Sequence, residues 1–506
     1  MSEMARWLFL CCSLPCVAHK VAVVGAGING GSAVHFLRQL TDDELVLYEA
    51  EREVGGRTYT QRFANVTVDV GGTAIYSKNR YMAGFAKSFG LQPSADDDLN
   101  SLIGIWDGQS MRTELNMDSM AMSALKLLFR YGLSPLRVIP VVREAVGHFD
   151  GIYDLQGAGQ SFETPAELLR ALRVFNLTQT SAYDFLAGLG VDDRFVRELV
   201  DGASRCNYNQ PGTLNAFAEL ISLAGAGVGG HVFSLANGTQ AVARGLARSA
   251  SRQLLGERVT EVQESNGGYV VISEGKGGIR REQFDGVILA TPLELTKIRL
   301  PASAKQLGRG REYQTTYTTF VHGMLNKTYF GLETSVAEIP SDIFTTESST
   351  SPFSSYGVHK ILADGSVVVK LFSRTQLTDE QLHALFPKVF EVYRYTWKAY
   401  PKLQPLPLEQ WASFRLGRGL IYTSWLETSA SAMEVAAIAG RNGALLMREA
   451  LQAKTARTAR STRERKEFRG FARGSPRQVH NKPLLIEQAY DYGRVFKKAT
   501  HLGPVQ

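Results

Sequence analysis

Residues 21–31 read Val-Ala-Val-Val-Gly-Ala-Gly-Ile-Asn-Gly-Gly, an apolar strand that runs directly into a G-x-G-x-x-G turn. Few folds accept that order. An apolar helical pattern follows at Ala33, Val34, Phe36, Leu37 and Leu40, and then a second strand from Glu44 that ends on Glu49. The glycines Gly25, Gly27 and Gly30 let backbone N–H groups and a helix N-terminus approach a pyrophosphate with no side chain in the way. Glu49 lies 19 residues beyond Gly30, the distance at which a carboxylate accepts hydrogen bonds from ribose hydroxyls. Strand, turn, helix, strand and acid together predict a Rossmann-like dinucleotide unit.

A second glycine pair indicates which dinucleotide. Gly55-Gly56-Arg57 follows the second strand, and Gly71-Gly72 closes the run Val68-Asp69-Val70. Each pair alone reads as an ordinary β-turn. In tandem behind a nucleotide turn they favour a flavin, with Arg57 as a planar donor that neutralises the pyrophosphate. The strand ending at residues 284–292, and Val259 to Val262 with backbone placed to meet an adenine, extend the pattern into the middle of the chain. Near the C-terminal end Gly419 to Tyr422 leads through Trp425 and Glu427 into a helical run from Ser431 to Ala439. The positive end of that helix would stabilise a reduced flavin ring. A cofactor domain assembled from three separated stretches is expected to be discontinuous.

Four further stretches are more specific. They are residues 205–226 (Arg205-Cys206-Asn207-Tyr208-Asn209-Gln210-Pro211-Gly212 onward), 315–323, 397–401 and 429–439. With the glycine motifs they resemble the prenylcysteine oxidase (prenylcysteine lyase) family from about Lys20 to about Leu451. The resemblance implies bound FAD and an amine-oxidase-like α/β fold with a mixed α+β substrate domain. It also implies a reaction, cleavage of the thioether of farnesyl- or geranylgeranyl-cysteine with molecular oxygen as the acceptor. The products would be cysteine, a prenyl aldehyde and hydrogen peroxide. Sulfur and the allyl group already stabilise the cation, so orientation and an apolar tunnel are the main demands and no catalytic triad is expected. Two other readings stay open: a different flavin oxidase or desaturase, and a secreted flavin carrier without turnover.

The side chains singled out each have a plain structural reading. His322 suits a satisfied strand histidine better than a proton shuttle. Arg205 can meet a substrate carboxylate or pin a loop. Glu427 matches the family's C-terminal flavin motif or caps the following helix. Met117, Met120, Met122, Leu125, Leu127, Leu128, Phe129 and Tyr131 form an apolar helix, read as core packing before tunnel lining. No His, Cys or acidic cluster has metal-ligand spacing, so no metal is expected.

The 506 residues are 44% hydrophobic, enough for two or three domains. Arg6 and the apolar run Trp7 to Val17, ending at Ala18, have the shape of a signal peptide (1–18). Three of the four cysteines, Cys11, Cys12 and Cys16, fall inside it and leave Cys206 without a partner. Sequons at Asn65, Asn176 and Asn326 are glycosylation candidates. A fourth, at Asn237, falls where the family has a turn near the flavin, and a glycan there would obstruct the cofactor. By resemblance the destination is the lysosome through the secretory pathway, with secretion as the alternative.

The net charge of +7 is concentrated in residues 453–506, which hold 13 Lys/Arg against 4 Asp/Glu. The rest of the chain is near neutral, so nothing marks it as a nucleic-acid binder, and the tail is expected to be disordered. No run beyond the N-terminus is apolar enough to cross a bilayer, although a prenyl substrate permits transient membrane contact. The expected layout places the FAD domain at 19–78, 228–300 and 405–452, and the substrate domain at 79–227 and 301–404.

Overall fold

The computed structural model describes residues 18–94, 99–227, 231–304, 307–332 and 338–472. The signal-like segment through Val17, with Cys11, Cys12 and Cys16, and the tail beyond Ala472 lie outside the described residues. The described residues from 18 to 455 form one compact unit.

Its nucleotide half is built on a six-stranded sheet. The strands run in the order Arg415–Gly417, Leu420–Tyr422, Gly286–Leu289, Lys20–Val24, Glu44–Glu49 and Arg252–Leu255. The last five are mutually parallel, and only Arg415–Gly417 runs against its neighbour. Val21, Ala22, Val23, Leu45, Val46, Leu47, Val287, Ile288 and Leu289 are fully buried. Such unbroken apolar strands are expected where helices cover both faces of a parallel sheet. The helix Ile28–Leu40 packs one face through Ala33, Val34 and Leu37. Gly440, on the C-terminal helix Met433–Ala472, packs so closely that an added Cβ would stand 2.4 Å from the Asn29 carbonyl oxygen. The C-terminal helix thus packs on the helix of the nucleotide turn, and all three expected cofactor segments contribute to one sheet.

The other half is a seven-stranded sheet. Its order is Lys388–Pro401, Tyr313–Met324, Val367–Ser373, Ser355–Ile361, Asp342–Thr345, Leu102–Trp106 and Met111–Asn116. All pairs are antiparallel except Asp342–Thr345 with Leu102–Trp106. This one sheet joins the two stretches read as the substrate domain. Tyr317 pairs with Ser373 and Phe320 with Lys370, so Tyr313–Met324 and Val367–Ser373 are neighbours in it.

Two expectations need correction. The segment 453–472 is helical, because the helix that begins at Met433 continues to Ala472; the rest of the expected disordered tail lies outside the described residues. The apolar helix Met120–Tyr131 forms, but it is not core: Met122, Leu125, Leu128 and Phe129 are exposed. Periodicity announced an apolar face without saying what lies opposite it. Among the described side chains of this helix, only Ser123 and Tyr131 are buried.

Candidate functional site

The nucleotide turn is shaped by what its glycines exclude. Gly25 has φ +99°, and its N–H donates to the Tyr48 carbonyl at 2.8 Å. A Cβ on Gly30 would stand 1.8 Å from the Gly25 oxygen, so the turn closes only with glycine there. The helix from Ile28 has no side-chain cap and no acid in its first turn. Its free N–H groups and positive end therefore remain available to an anion. Gly27 bridges to Gly55, and the Gly55 N–H donates to the Ala26 carbonyl at 2.9 Å. Gly55 and Gly56 have φ +130° and +54°. The second glycine pair is folded directly against the first.

Glu49 sits at the end of its strand. Its Oε2 accepts from the Ala26 N–H at 2.8 Å and its Oε1 from the Glu51 N–H at 3.0 Å. Burial nevertheless raises its carboxyl above the ordinary value, outweighing those hydrogen bonds. Beside it is a cavity of about 110 Å3, lined by Gly25, Tyr48, Glu49, Val259, Thr291 and Lys297 among others. The turn, the acid expected to meet a ribose and the strand expected beside an adenine thus line one opening. The close-packed glycine turn and the uncapped helix end leave backbone N–H groups open to the pyrophosphate of a dinucleotide.

Gly71 and Gly72 lie deeper. A Cβ on Gly71 would meet the Arg57 carbonyl oxygen at 2.1 Å and the Trp397 ring at 3.1 Å, and one on Gly72 would touch Met433. The turn is clamped from three sides. Thr239 Oγ1 donates to the Gly72 carbonyl at 2.7 Å. Lys370 Nζ donates to the carbonyls of Asp69 and Gly71 at 2.7 and 2.9 Å and to Thr73 Oγ1 at 3.2 Å. Burial holds the Lys370 ammonium down at about 8, despite the nearby Asp69. The helix that was expected to point at the ring starts at Met433, against Gly72. Its Glu434 accepts from the N–H groups of Tyr81 and Met82 at 2.8 and 2.9 Å, capping the helix Arg80–Ser88 from a distance.

Arg57 and Glu427 differ from expectation. Arg57 Nη2 pairs with Glu427 Oε2 at 2.6 Å, and Nη1 donates to the Ala399 carbonyl at 2.9 Å. The guanidinium is therefore already matched by a carboxylate, not held as a free cation for a pyrophosphate. Glu427 caps no helix. It lies in the turn Ser424–Thr428, accepts a hydrogen bond from the Tyr313 hydroxyl and stands 3.5 Å from Arg311 Nη1. Arg311 continues the network to Glu294 at 2.7 Å and Tyr422 at 3.0 Å. Sequence reasoning missed Arg311, Tyr313, Glu294, Lys370 and Trp397. An arginine or lysine beside strand residues carries no local mark of its partners, which here lie from 17 to 301 positions away.

The remaining candidates take structural places. Arg205 is buried and donates to Thr345 Oγ1 at 2.9 Å and pairs with Glu347 at 3.0 Å, which Arg374 also holds. It pins a loop to the second sheet. His322 meets Ser366 Oγ at 3.1 Å on a half-buried strand. Cys206 is free, and burial pushes its thiol up to about 12, so it is a poor nucleophile. Asn65 and Asn176 are exposed. Asn326 is half-buried, with its Nδ2 donating to the Ala384 carbonyl. Thr239, the hydroxyl residue of the Asn237 sequon, is fully buried on Gly72. Among the described residues no group of three His, Cys, Asp or Glu could hold a metal, and no helix is long and apolar enough to cross a membrane.

Comparison with known proteins adds an independent line. The model of the prenylcysteine lyase family matches residues 115–459, and that of an NAD(P)-binding Rossmann-like domain matches residues 23–89. Farnesylcysteine lyase of Arabidopsis thaliana is 31% identical over 448 residues, covering 84% of this chain and 87% of its own. Prenylcysteine oxidase 1 of Homo sapiens is 30% identical over 480 residues, covering 88% and 93%. Among solved structures, cyclohexylamine oxidase from Brevibacterium oxydans superposes with a TM-score of 0.54 at 16% identity, covering 86% of this chain and all of that one. Putrescine oxidase bound to putrescine gives 0.52 at 16%, covering 85% and 98%. Those two likenesses establish the fold.

Proposed function

The chain belongs to the prenylcysteine lyase family and is an oxidoreductase, and from that premise we propose that it is an FAD-dependent thioether oxidase of prenylcysteines. The observation that carries the reading is the extent of the likeness. It runs from residue 115 to 459, through the substrate half, and not only over the nucleotide turn that unrelated flavoproteins share.

Farnesyl- or geranylgeranyl-cysteine, water and oxygen would give cysteine, the prenyl aldehyde and hydrogen peroxide. The carbon beside sulfur loses two electrons and a proton, water adds to it, and the carbon–sulfur bond then breaks. A bound flavin supplies the two-electron acceptor that oxygen regenerates. Gly25, Gly27, Gly30 and Glu49 would hold the adenosine and pyrophosphate end, with Val259 beside the adenine. Gly56, Gly71 and Gly72 would let the backbone approach the remainder. Arg57 and Glu427 act as a fixed pair that ties the second glycine turn to the C-terminal segment. Lys370 holds the carbonyls of Asp69 and Gly71, so that loop cannot turn away from the site. The chain's main task is orientation.

Purified protein given farnesylcysteine should release peroxide, and polyamines should not replace it. Its yellow colour should bleach on anaerobic addition of the prenylcysteine. Peroxide from polyamines alone would favour the amine-oxidase alternative, and colour without bleaching would favour a carrier. We also propose delivery to the lysosome through the secretory pathway, in the degradation of prenylated proteins. The exposed sequon of Asn65 and Thr67 supports that route. A tagged chain that stayed out of the endoplasmic reticulum and resisted deglycosylation would overturn it.

A further inference from the structure

Six of the twelve large apolar side chains that stand exposed among the described residues fall within fifteen positions. They are Met122, Leu125, Leu128, Phe129, Leu133 and Leu136, and Phe129 is 95% exposed. Met122, Leu125 and Phe129 follow i, i+3, i+7 spacing along the helix Met120–Tyr131. Leu133 and Leu136 extend the stripe into the next helix, Ser134–Asp150. The opposite side of this hairpin is anchored. Tyr131, Val138, Val142, Ala145 and Val146 are buried in a cluster with Phe195, Leu220 and Leu223. The exposed face therefore belongs to a fixed element, and a concentration of this size marks an interaction surface.

Charge identifies the partner. From Met120 to Arg143 there is no Asp or Glu, against Lys126, Arg130, Arg137 and Arg143, and the hairpin's two acids, Glu144 and Asp150, come after the apolar stripe. Arg130 is matched by Glu198 in a two-pronged pair at 2.7 and 2.8 Å. Lys126 and Arg137 donate only to carbonyls, those of Glu114 and Gly190, so their charges are not neutralised. Arg143 is exposed seven positions after Leu136, on the same stripe. Asp193, on the helix Asp193–Phe195, is taken up by Arg197. A greasy stripe fringed by unmatched cations complements anionic headgroups above acyl chains. A second copy of the same face would instead set like charges against each other across a two-fold axis.

We propose that the helical hairpin Met120–Asp150 docks this protein on an anionic lipid surface, with Phe129 and Leu125 inserted below the headgroups and Lys126, Arg137 and Arg143 among them. Exposure and charge carry this inference whatever the substrate proves to be. Neither helix is long enough to span, so the hairpin lies in the interfacial plane.

The full chain should float with phosphatidylcholine vesicles that contain phosphatidylserine, and much less with phosphatidylcholine alone. Leu125→Ser with Phe129→Ser should weaken that binding about tenfold or more, and Lys126→Glu with Arg143→Glu should remove its dependence on the anionic lipid. Flavin content and melting temperature should stay as in the parent, since none of these side chains is buried. Wild-type protein that ignores anionic vesicles would overturn the proposal. So would variants that bind as the parent does, or an apolar double variant whose only change is loss of a dimer.

Discussion

A single atom decides the nucleotide turn. Alanine at Gly30 would place its Cβ 1.8 Å from the Gly25 carbonyl oxygen, and backbone on both sides leaves no flexible group to yield. Gly30→Ala should therefore purify with at most about a tenth of the flavin per chain. It should also unfold earlier, by about 1–3 kcal/mol in urea titration. Full yellow colour would show that the turn can open. A different residue governs the response to pH. Glu219 is buried, receives a hydrogen bond from Ser204 Oγ, and leaves Oε1 without a partner. Burial pushes its carboxyl up to about 8 from the ordinary 4.5. Between those values the folded chain holds a proton that the unfolded chain has released, so stability falls as pH rises from 4.5 through 8. Glu219→Gln should match the parent near pH 4.5 and exceed it by on the order of a few kcal/mol near pH 8.5. Equal urea midpoints at both pH values would refute this. The two residues were not equally legible. Gly30 stood out because steric need writes itself as a fixed spacing. Glu219 sits in a run of small and apolar residues, and nothing in its neighbours announces a carboxyl without solvent.

Elements, more than residues, were readable where their signal is local. The strands at 20–24 and 44–49 and the helix between them followed from apolar runs and punctuation, because each needs only its own period. The seven-stranded sheet did not. Leu102–Trp106 pairs in parallel with Asp342–Thr345, some 240 positions away. Such a pairing is stabilised only after the chain has closed a long loop, so no short window records it. The surface hairpin misled in the opposite way, since an apolar face exposed to solvent has the same period as one in a core. The link between Val367–Ser373 and the Gly71 turn belongs to this scale too. Lys370 crosses between them with three hydrogen bonds and a buried ammonium. Lys370→Met keeps much of the side chain's volume and deletes those donors, leaving the Asp69 and Gly71 carbonyls short of a partner. Stability should fall by about 2–4 kcal/mol, and FAD should exchange out faster in a dilution assay. A variant as stable as the parent, with unchanged flavin retention, would show that the clamp is idle.

At the scale of the whole molecule, folding and charge divide the chain at nearly the same point. Among the described residues the last buried apolar side chain is Leu451, and just after it Lys454 pairs with Asp285 at 2.6 Å and Thr455 meets His19 at 3.1 Å. Residues 453–506, by contrast, carry a net +9, while everything before them is close to neutral. The basic character of the protein is thus a property of a segment that begins where burial ends. That segment was visible from composition alone. Its helical first part was not, because a polar run rich in Ala, Arg, Lys and Glu reads equally as solvated coil or solvated helix. A chain stopped after Thr455 retains both ties and the entire six-stranded sheet. Its urea stability should lie within about 0.5 kcal/mol of the full chain, as for surface changes generally. Its flavin content should be unchanged, while its retention on a cation exchanger at neutral pH should collapse. A loss of colour, or of more than about 1 kcal/mol, would mean that the basic segment stabilises the cofactor-binding body after all.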